Sequence, residues 1–273
     1  MSVDTAQAPT SISTRVPRTK RSLGPRTTGL LSFTAFVILW WLAVLITGIH
    51  PTLLPSPASV VVAFGEVWTA GILWPAVIDS LQALFVGLAA GLVVGVVLGL
   101  LIGSSGWLDL IAAPYLWGFF ATPRIATAPV VILWLGLGFE TKVTLVFISA
   151  LLPVILSCKE GVQTVDETLV RAARSLGAGR YDLFRHVVIP YTMPFIANGI
   201  RQGIARGFVG LLIIEMTVGR GGIGRAVIVT MGNFDTARMF AFTAVLVVTA
   251  LFLISVSRRL EAYASRWREE VYL

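Results

Sequence analysis

Apolar residues in this chain fall in long unbroken runs separated by short polar stretches, not at the spacing of amphipathic surface helices. The first run, 29–49, is long enough to cross a bilayer core at about 1.5 Å per helical residue. Before it lies a polar segment, 1–28, rich in Ser, Thr, Pro and Arg, whose composition predicts a disordered basic tail. The run is too long for a signal peptide and no small-residue cleavage pattern follows at 47–51, so it reads as a retained anchor. Residues 50–79 hold no Lys or Arg and suit an external segment. Within them Ser56 is placed to cap a helix that Pro57 opens, and Val60, Phe64, Val67 and Trp68 recur at helical spacing. This predicts an amphipathic helix on the membrane face, with Trp68 and Trp74 at headgroup level.

The second span, 81–103, carries Gly87, Gly91, Gly95, Gly99 and Gly103 at every fourth position. Glycine inside a helix costs about 1 kcal/mol against alanine, so the stripe needs a reason. Close approach of a neighbouring helix supplies one; a groove lining a substrate path is the alternative. Residues 108–138 are too long for one straight span and are interrupted by Pro114, Pro123 and Pro129, with Arg124 between them. Broken backbone at membrane depth requires cover from protein or a water-filled cavity. A single kinked crossing ending near 136–138 is expected. Arg124 then either snorkels or faces a cavity, where it could contact an anionic substrate. Pro123, Arg124 and Trp134, with Glu215 further on, are the candidates for a translocation pathway.

A fourth span covers 143–156. A polar stretch, 159–192, precedes a fifth span, 195–216, which repeats the four-residue glycine spacing at Gly199, Gly203 and Gly207. Arg201 and Arg206 mark its inner part and Glu215 its outer end. An external loop, 217–238, leads to the last span, 239–256, and a tail, 258–273. The pattern predicts an all-α polytopic membrane protein with six transmembrane helices, a core over 80–257 and both termini in the cytoplasm.

Composition agrees: 56% of the 273 residues are hydrophobic, 13% are charged and the mean hydropathy is +0.86, against about 25% charged in soluble domains. A net charge of +7 would point to nucleic acid in a soluble chain. Here fourteen of the 21 basic residues lie in the two tails and the 159–192 stretch, against four (Lys142, Arg220, Arg225 and Arg238) in the segments assigned outside. That is the positive-inside bias, and membrane lipid, not nucleic acid, is the expected partner.

Catalytic signatures are missing. The two histidines, His50 and His186, are far apart and Cys158 is the single cysteine, so neither a metal cluster nor a disulfide is expected. No Gly-Lys dipeptide occurs, which excludes a GxxxxGK[ST] phosphate loop. Gly219, Gly221 and Gly224 match GxGxxG but follow a membrane span without a strand, and read as a flexible loop.

The most informative stretch is 166–190, flanked on both sides by spans. Thr164 and Glu167 have capping-box spacing and predict a helix through Arg174. Gly177 and Gly179 break it, 181–187 resume it and Pro190 ends it. Within the stretch the order is Arg171-Ala172-Ala173, three residues, Gly177, nine residues, then Val187-x-Ile189-Pro190. This resembles the EAA loop of bacterial ABC importer permeases, with Ala172, Ala173, Gly177 and Pro190 identical to the pattern and Arg171 replacing its glutamate. The LPSP segment at 54–57, PRIATAPVVILWLGLG at 123–138, GIRQGIARGFVGLLIIEM at 199–216 and GGIG at 221–224 look like the nitrate, sulfonate and taurine branch of that family.

The resemblance implies a type I importer fold in a bacterial cytoplasmic (inner) membrane. It also implies a homodimer of permeases, two ATP-binding cassette ATPase subunits that carry Mg-ATP, no cofactor in this chain, and an external substrate-binding protein or lipoprotein. Gly177 would form the turn of a coupling loop, with Ala172 and Ala173 keeping its surface low. Arg174, Arg180 and Arg185 would meet the ATPase rim. The expected substrate is a small anion such as nitrate, a sulfonate or taurine, although related permeases handle riboflavin-like and pyrimidine-precursor solutes. An ion-gradient-driven secondary transporter is the competing class, but it needs acidic or histidine relays in mid-span. A membrane scaffold is another, but it has no use for the proline-broken crossing.

Overall fold

The computed structural model describes residues 25–217 and 219–264. Residues 1–24 and 265–273, most of the two basic tails, lie outside the described residues, as does the side chain of Arg124. The chain divides into two units, 1–48 and 49–273. Within the first, α1 (Pro25–Thr47) is predominantly apolar from Gly29 onward. Ser32 Oγ donates to Thr28 O at 2.9 Å and Thr47 Oγ1 to Ala43 O at 2.5 Å, each to the preceding turn.

The second unit is built on three helices: α3 (Leu73–Ser104), α6 (Phe139–Gln163) and α9 (Ile189–Thr217). The glycine stripe of α3 lies along α6. A Cβ on Gly87 would stand 2.6 Å from Val146 Cβ and one on Gly99 2.6 Å from Cys158 Cβ, with Gly91 at 3.0 Å and Gly95 and Gly103 at 2.8 Å from the turns between and beyond. Because 87, 95 and 103 meet 146, 154 and 162 in that order, α3 and α6 run parallel. Gly199, Gly203 and Gly207 of α9 bring it against Ser157, Val154 and Leu88, so α9 runs antiparallel to α6. Ala83, Leu84, Leu88, Val146, Ala150 and Leu211 fill the seam and are buried. Added atoms here must push aside backbone carbonyls, Ile155 O lying 2.8 Å from a Cβ at 99. Gly99→Ala is therefore expected to cost about 1–3 kcal/mol, seen as a lower unfolding midpoint in detergent. Gly118→Ala, with open space at its Cβ, is expected to lose nothing.

Parallel α3 and α6 require the chain between them to return. α4 (Gly106–Ala121) starts with Asp109 paired to Lys159 and accepting from Gln163 Nε2 at 2.7 Å. Leu116 then packs on Leu152 and Ile155. After a 104° bend α5 (Arg124–Leu135) packs Ala128 and Val131 on Leu145. Thr141 Oγ1 donates to Gly136 O at 2.6 Å where α6 begins. Residues 106–138 thus travel once from one end of the bundle to the other, as a broken crossing.

Among the described residues four helices are long and apolar enough to cross a membrane, five with the broken pair. The expected sixth is α9. It spans the length of α6 but carries Arg201, Arg206 and Glu215. Arg201 pairs with Glu261 at 3.1 Å on α11 (Thr236–Ala264), and Arg206 stacks over Phe120 at 5.9 Å. Protein partners accommodate these charges where lipid would not.

Three local expectations are corrected. The helix α2 (Pro57–Thr69) is capped by Ser56, with Pro57 at its start. Its inward face nevertheless meets protein: Val67 is buried with Ile223, Phe242 and Leu246, while Trp68 stays exposed against Trp74, ring centroids 5.1 Å apart. Thr164 does not cap the next helix. It closes α6, and Asp166 caps α7 (Glu167–Ser175), accepting from Thr168 N at 2.7 Å. Nor does Pro190 end a helix. It lies in the first turn of α9, preceded by a π turn over Phe184–Val188 that absorbs the hydrogen bond proline cannot donate.

Candidate functional site

Two polar features mark opposite ends of the α6–α9 pair. At the end where α6 stops and α9 starts, the chain leaves the bundle as α7, a turn and α8 (Arg180–Leu183). Hydrogen bonds from the Thr168 hydroxyl and N–H hold the Asp166 carboxyl below its usual range, with Arg171 adding to the effect. The same bonds fix the start of α7. Leu169, Ala172, Ala173 and Leu176 fall at i, i+3, i+4 and i+7, one helical stripe. No residue of α7 is buried and Leu176 is 88% exposed. Gly177 turns the chain at φ +86°, a conformation that glycine adopts at no steric cost, and a Cβ there would meet open space. Gly179 N donates to Asp182 Oδ2 at 3.2 Å and starts α8. Arg171, Arg174, Arg180 and Arg185 are all exposed, Arg185 donating to the Tyr181 hydroxyl at 3.0 Å. The result is an apolar ridge edged with guanidinium groups.

The other end holds a buried charge cluster. Lys142, in the first turn of α6 and 4% exposed, donates to Asp79 Oδ2 on α3 at 2.6 Å. It also donates to Glu215 Oε1 on α9 at 3.1 Å and to Gly221 O at 2.9 Å. Glu215 is fully buried and also accepts from Ser80 Oγ at 2.8 Å and Gly224 N at 2.9 Å. Ser80 Oγ in turn accepts from Ile223 N at 2.9 Å. Side-chain atoms at 219, 221, 222 or 224 would collide with Glu215 or Asp79. The glycine run is therefore not a loose loop: it is wrapped around a carboxylate and leads into α10 (Ile223–Gly232). Sequence reasoning missed Asp79, Ser80 and Lys142. The signal was an acidic residue at a span end followed within four residues by a glycine run.

Asp79 and Gly221 both line two cavities. The larger, about 580 Å³, has Val67, Ile72, Pro75, Val229 and Phe242 as apolar walls and Arg225, Asp235 and Arg238 at its polar side. The smaller, about 80 Å³, reaches Thr141 and Lys142. Of the pathway candidates, Glu215 lines neither cavity, Trp134 is 77% exposed on α5 and Pro123 is exposed at its N-cap. The structure does not bring these three together. Among the described residues no cluster could hold a metal ion.

The comparisons with known proteins bear on both ends. Residues 91–269 match the family described as "binding-protein-dependent transport system inner membrane component". The chain is 33% identical to the riboflavin transport system permease RibX of Chloroflexus aurantiacus, over 94% of this chain and 96% of that one. It is 32% identical to the putative aliphatic sulfonates transport permease SsuC of Escherichia coli, over 87% of each. In fold it is similar to a chain of the MetNI methionine ABC transporter in an inward-facing state, with a TM-score of 0.61 at 18% identity over 71% of this chain and 98% of that one. ATP hydrolysis in such systems belongs to a separate ATPase. With its exposed paired-helix connection and its multi-pass helical core, the chain belongs to the binding-protein-dependent transport inner membrane components, the permease subunits of ABC transporters.

Proposed function

We propose that this chain is half of a homodimeric importer that takes up a small anion of the sulfonate or taurine class by alternating access. Both termini and the α7–α8 connection face the cytoplasm, and the Lys142 cluster faces outward. The observation that carries this reading is the apolar ridge Leu169–Ala172–Ala173–Leu176, on which Leu169, Ala172 and Leu176 are exposed and Ala173 is half-buried. Its cover is an ATPase subunit, one per permease, holding Mg-ATP. Arg174 and Arg180 edge that contact. An external binding protein delivers the solute at the opposite end, where α2, α10 and the start of α11 meet.

A second reading of the substrate, a heterocyclic solute, is favoured by the larger cavity. Its two arginines are matched in number by Asp79 and Asp235, and the rest of its wall is mostly apolar, with Thr230 and Asn233 as its uncharged polar groups, which suits a neutral ring system better than a compact anion. The 33% identity to a riboflavin permease supports the same reading. Proteoliposomes holding the permease, its ATPase and its binding protein separate the two. ATP-dependent uptake of labelled taurine that riboflavin does not compete supports the anion, and the converse result supports the heterocycle. Uptake driven by a proton gradient with no ATPase present would overturn both.

A further inference from the structure

The Lys142 cluster holds two carboxylates on one ammonium, and the two are not equivalent. Glu215 is fully enclosed, accepts from Ser80, Gly224 and Lys142, and is walled by the backbone of 222 and 224. Asp79 has a side chain 39% exposed and, among the described residues, is held by the single bond from Lys142. Removing Asp79 from the cluster leaves Lys142 neutralised by Glu215 and still bonded to Gly221 O, while the surplus carboxylate gains water. Removing Glu215 instead would strand the Ser80 hydroxyl and the Gly224 N–H in the interior, while Lys142 kept Asp79 and Gly221 O. The cluster therefore has one contact that can open at small cost and one that cannot. The contact that can open lies in the partition between the two cavities, since Asp79 and Gly221 line both.

We propose that Lys142 is a positioning residue that holds the 219–224 loop permanently through Glu215 and Gly221. Its contact with Asp79 is a releasable latch that joins the small cavity to the large one as the transporter cycles. The latch rests on the reading of the chain as an ATPase-coupled permease. It adds to that reading the place where α3 parts from α6 at the end away from the ATPase.

The test uses the complete transporter in nanodiscs with Thr141→Cys as reporter, since Thr141 is 1% exposed and lines the small cavity. A charged, membrane-impermeant thiol reagent reads how often the partition opens, and Cys158, fully buried, provides the blank. Asp79→Asn keeps shape and removes the charge. It is expected to raise both the labelling rate without nucleotide and the basal ATPase rate about fivefold or more, with the KM for ATP unchanged. Asp79→Glu restores the charge and is expected to return both toward wild type. Unchanged labelling in Asp79→Asn overturns the latch, as does equal labelling in the Asn and Glu variants. Raised labelling with unchanged ATPase removes its coupling to the cycle and overturns it too. A wild-type complex whose ATPase ignores the binding protein would instead count against the transport assembly.

Discussion

Glu215→Ala is expected to lose about 3–5 kcal/mol of stability, the usual cost of removing one partner from a buried ion pair. The size of the loss follows from what the carboxylate leaves behind. Lys142 keeps Asp79, so its charge is not wholly stranded. Gly224 N–H and the Ser80 hydroxyl lose an enclosed acceptor, at about 1–3 kcal/mol for each unsatisfied group. The glycine backbone at 222 and 224 also loses the side chain it encloses. Glu215→Gln retains an acceptor oxygen and volume but turns an amide donor toward Lys142, so a loss of about 1–3 kcal/mol is expected, smaller than for alanine. Thermal unfolding in detergent, followed by the reactivity of buried Cys158, measures both. An alanine variant within about 0.5 kcal/mol of wild type, the range of ordinary surface changes, would show that the cluster does not hold this end of the bundle.

The fold class was legible because lipid enforces it locally: backbone groups in a bilayer must be satisfied within one segment, so apolar runs declare helices one at a time. The paired-helix connection α7–α8 was legible for a similar reason. Its alanines, glycine and proline lie within twenty residues, and their spacing survives without knowledge of any tertiary partner. The charge cluster was not legible, because Lys142 is 63 residues from Asp79 and 73 from Glu215. Each of the three stands at the end of an apolar run, where a charge ordinarily meets water. In the sequence Lys142 counts only among the residues of segments assigned outside, and the fold buries it by bringing three helix ends to one point. Of the six expected spans, the one at 195–216 falls on a helix, α9, that does not pass as a span by length and composition alone. Its arginines find Glu261 and Phe120, partners that hydropathy along the chain cannot register.

Leucine at position 177 is expected to abolish binding-protein-stimulated ATP hydrolysis and uptake while leaving the unfolding midpoint of the membrane core unchanged. Two effects contribute, and a substitution series separates them. At φ +86° any side chain strains the backbone, by about 1–2 kcal/mol for most residues, less for asparagine, which tolerates left-handed conformations. Within this chain the side chain itself meets nothing, since no atom lies within 4 Å of a Cβ there. Bulk therefore matters only if something outside the chain grips the turn. Gly177→Asn is expected to retain most activity and Gly177→Ala to lose up to about tenfold, the equivalent of 1.4 kcal/mol spent on the turn. Gly177→Leu strains the backbone as alanine does, then adds a clash with the ATPase that alanine avoids, so its loss should exceed alanine's by at least another factor of about ten. Co-purification of the ATPase with each variant supplies the second readout. Leucine and alanine behaving alike would mean that the turn only shapes the connection, and that the ATPase contact lies on the Leu169–Leu176 ridge alone.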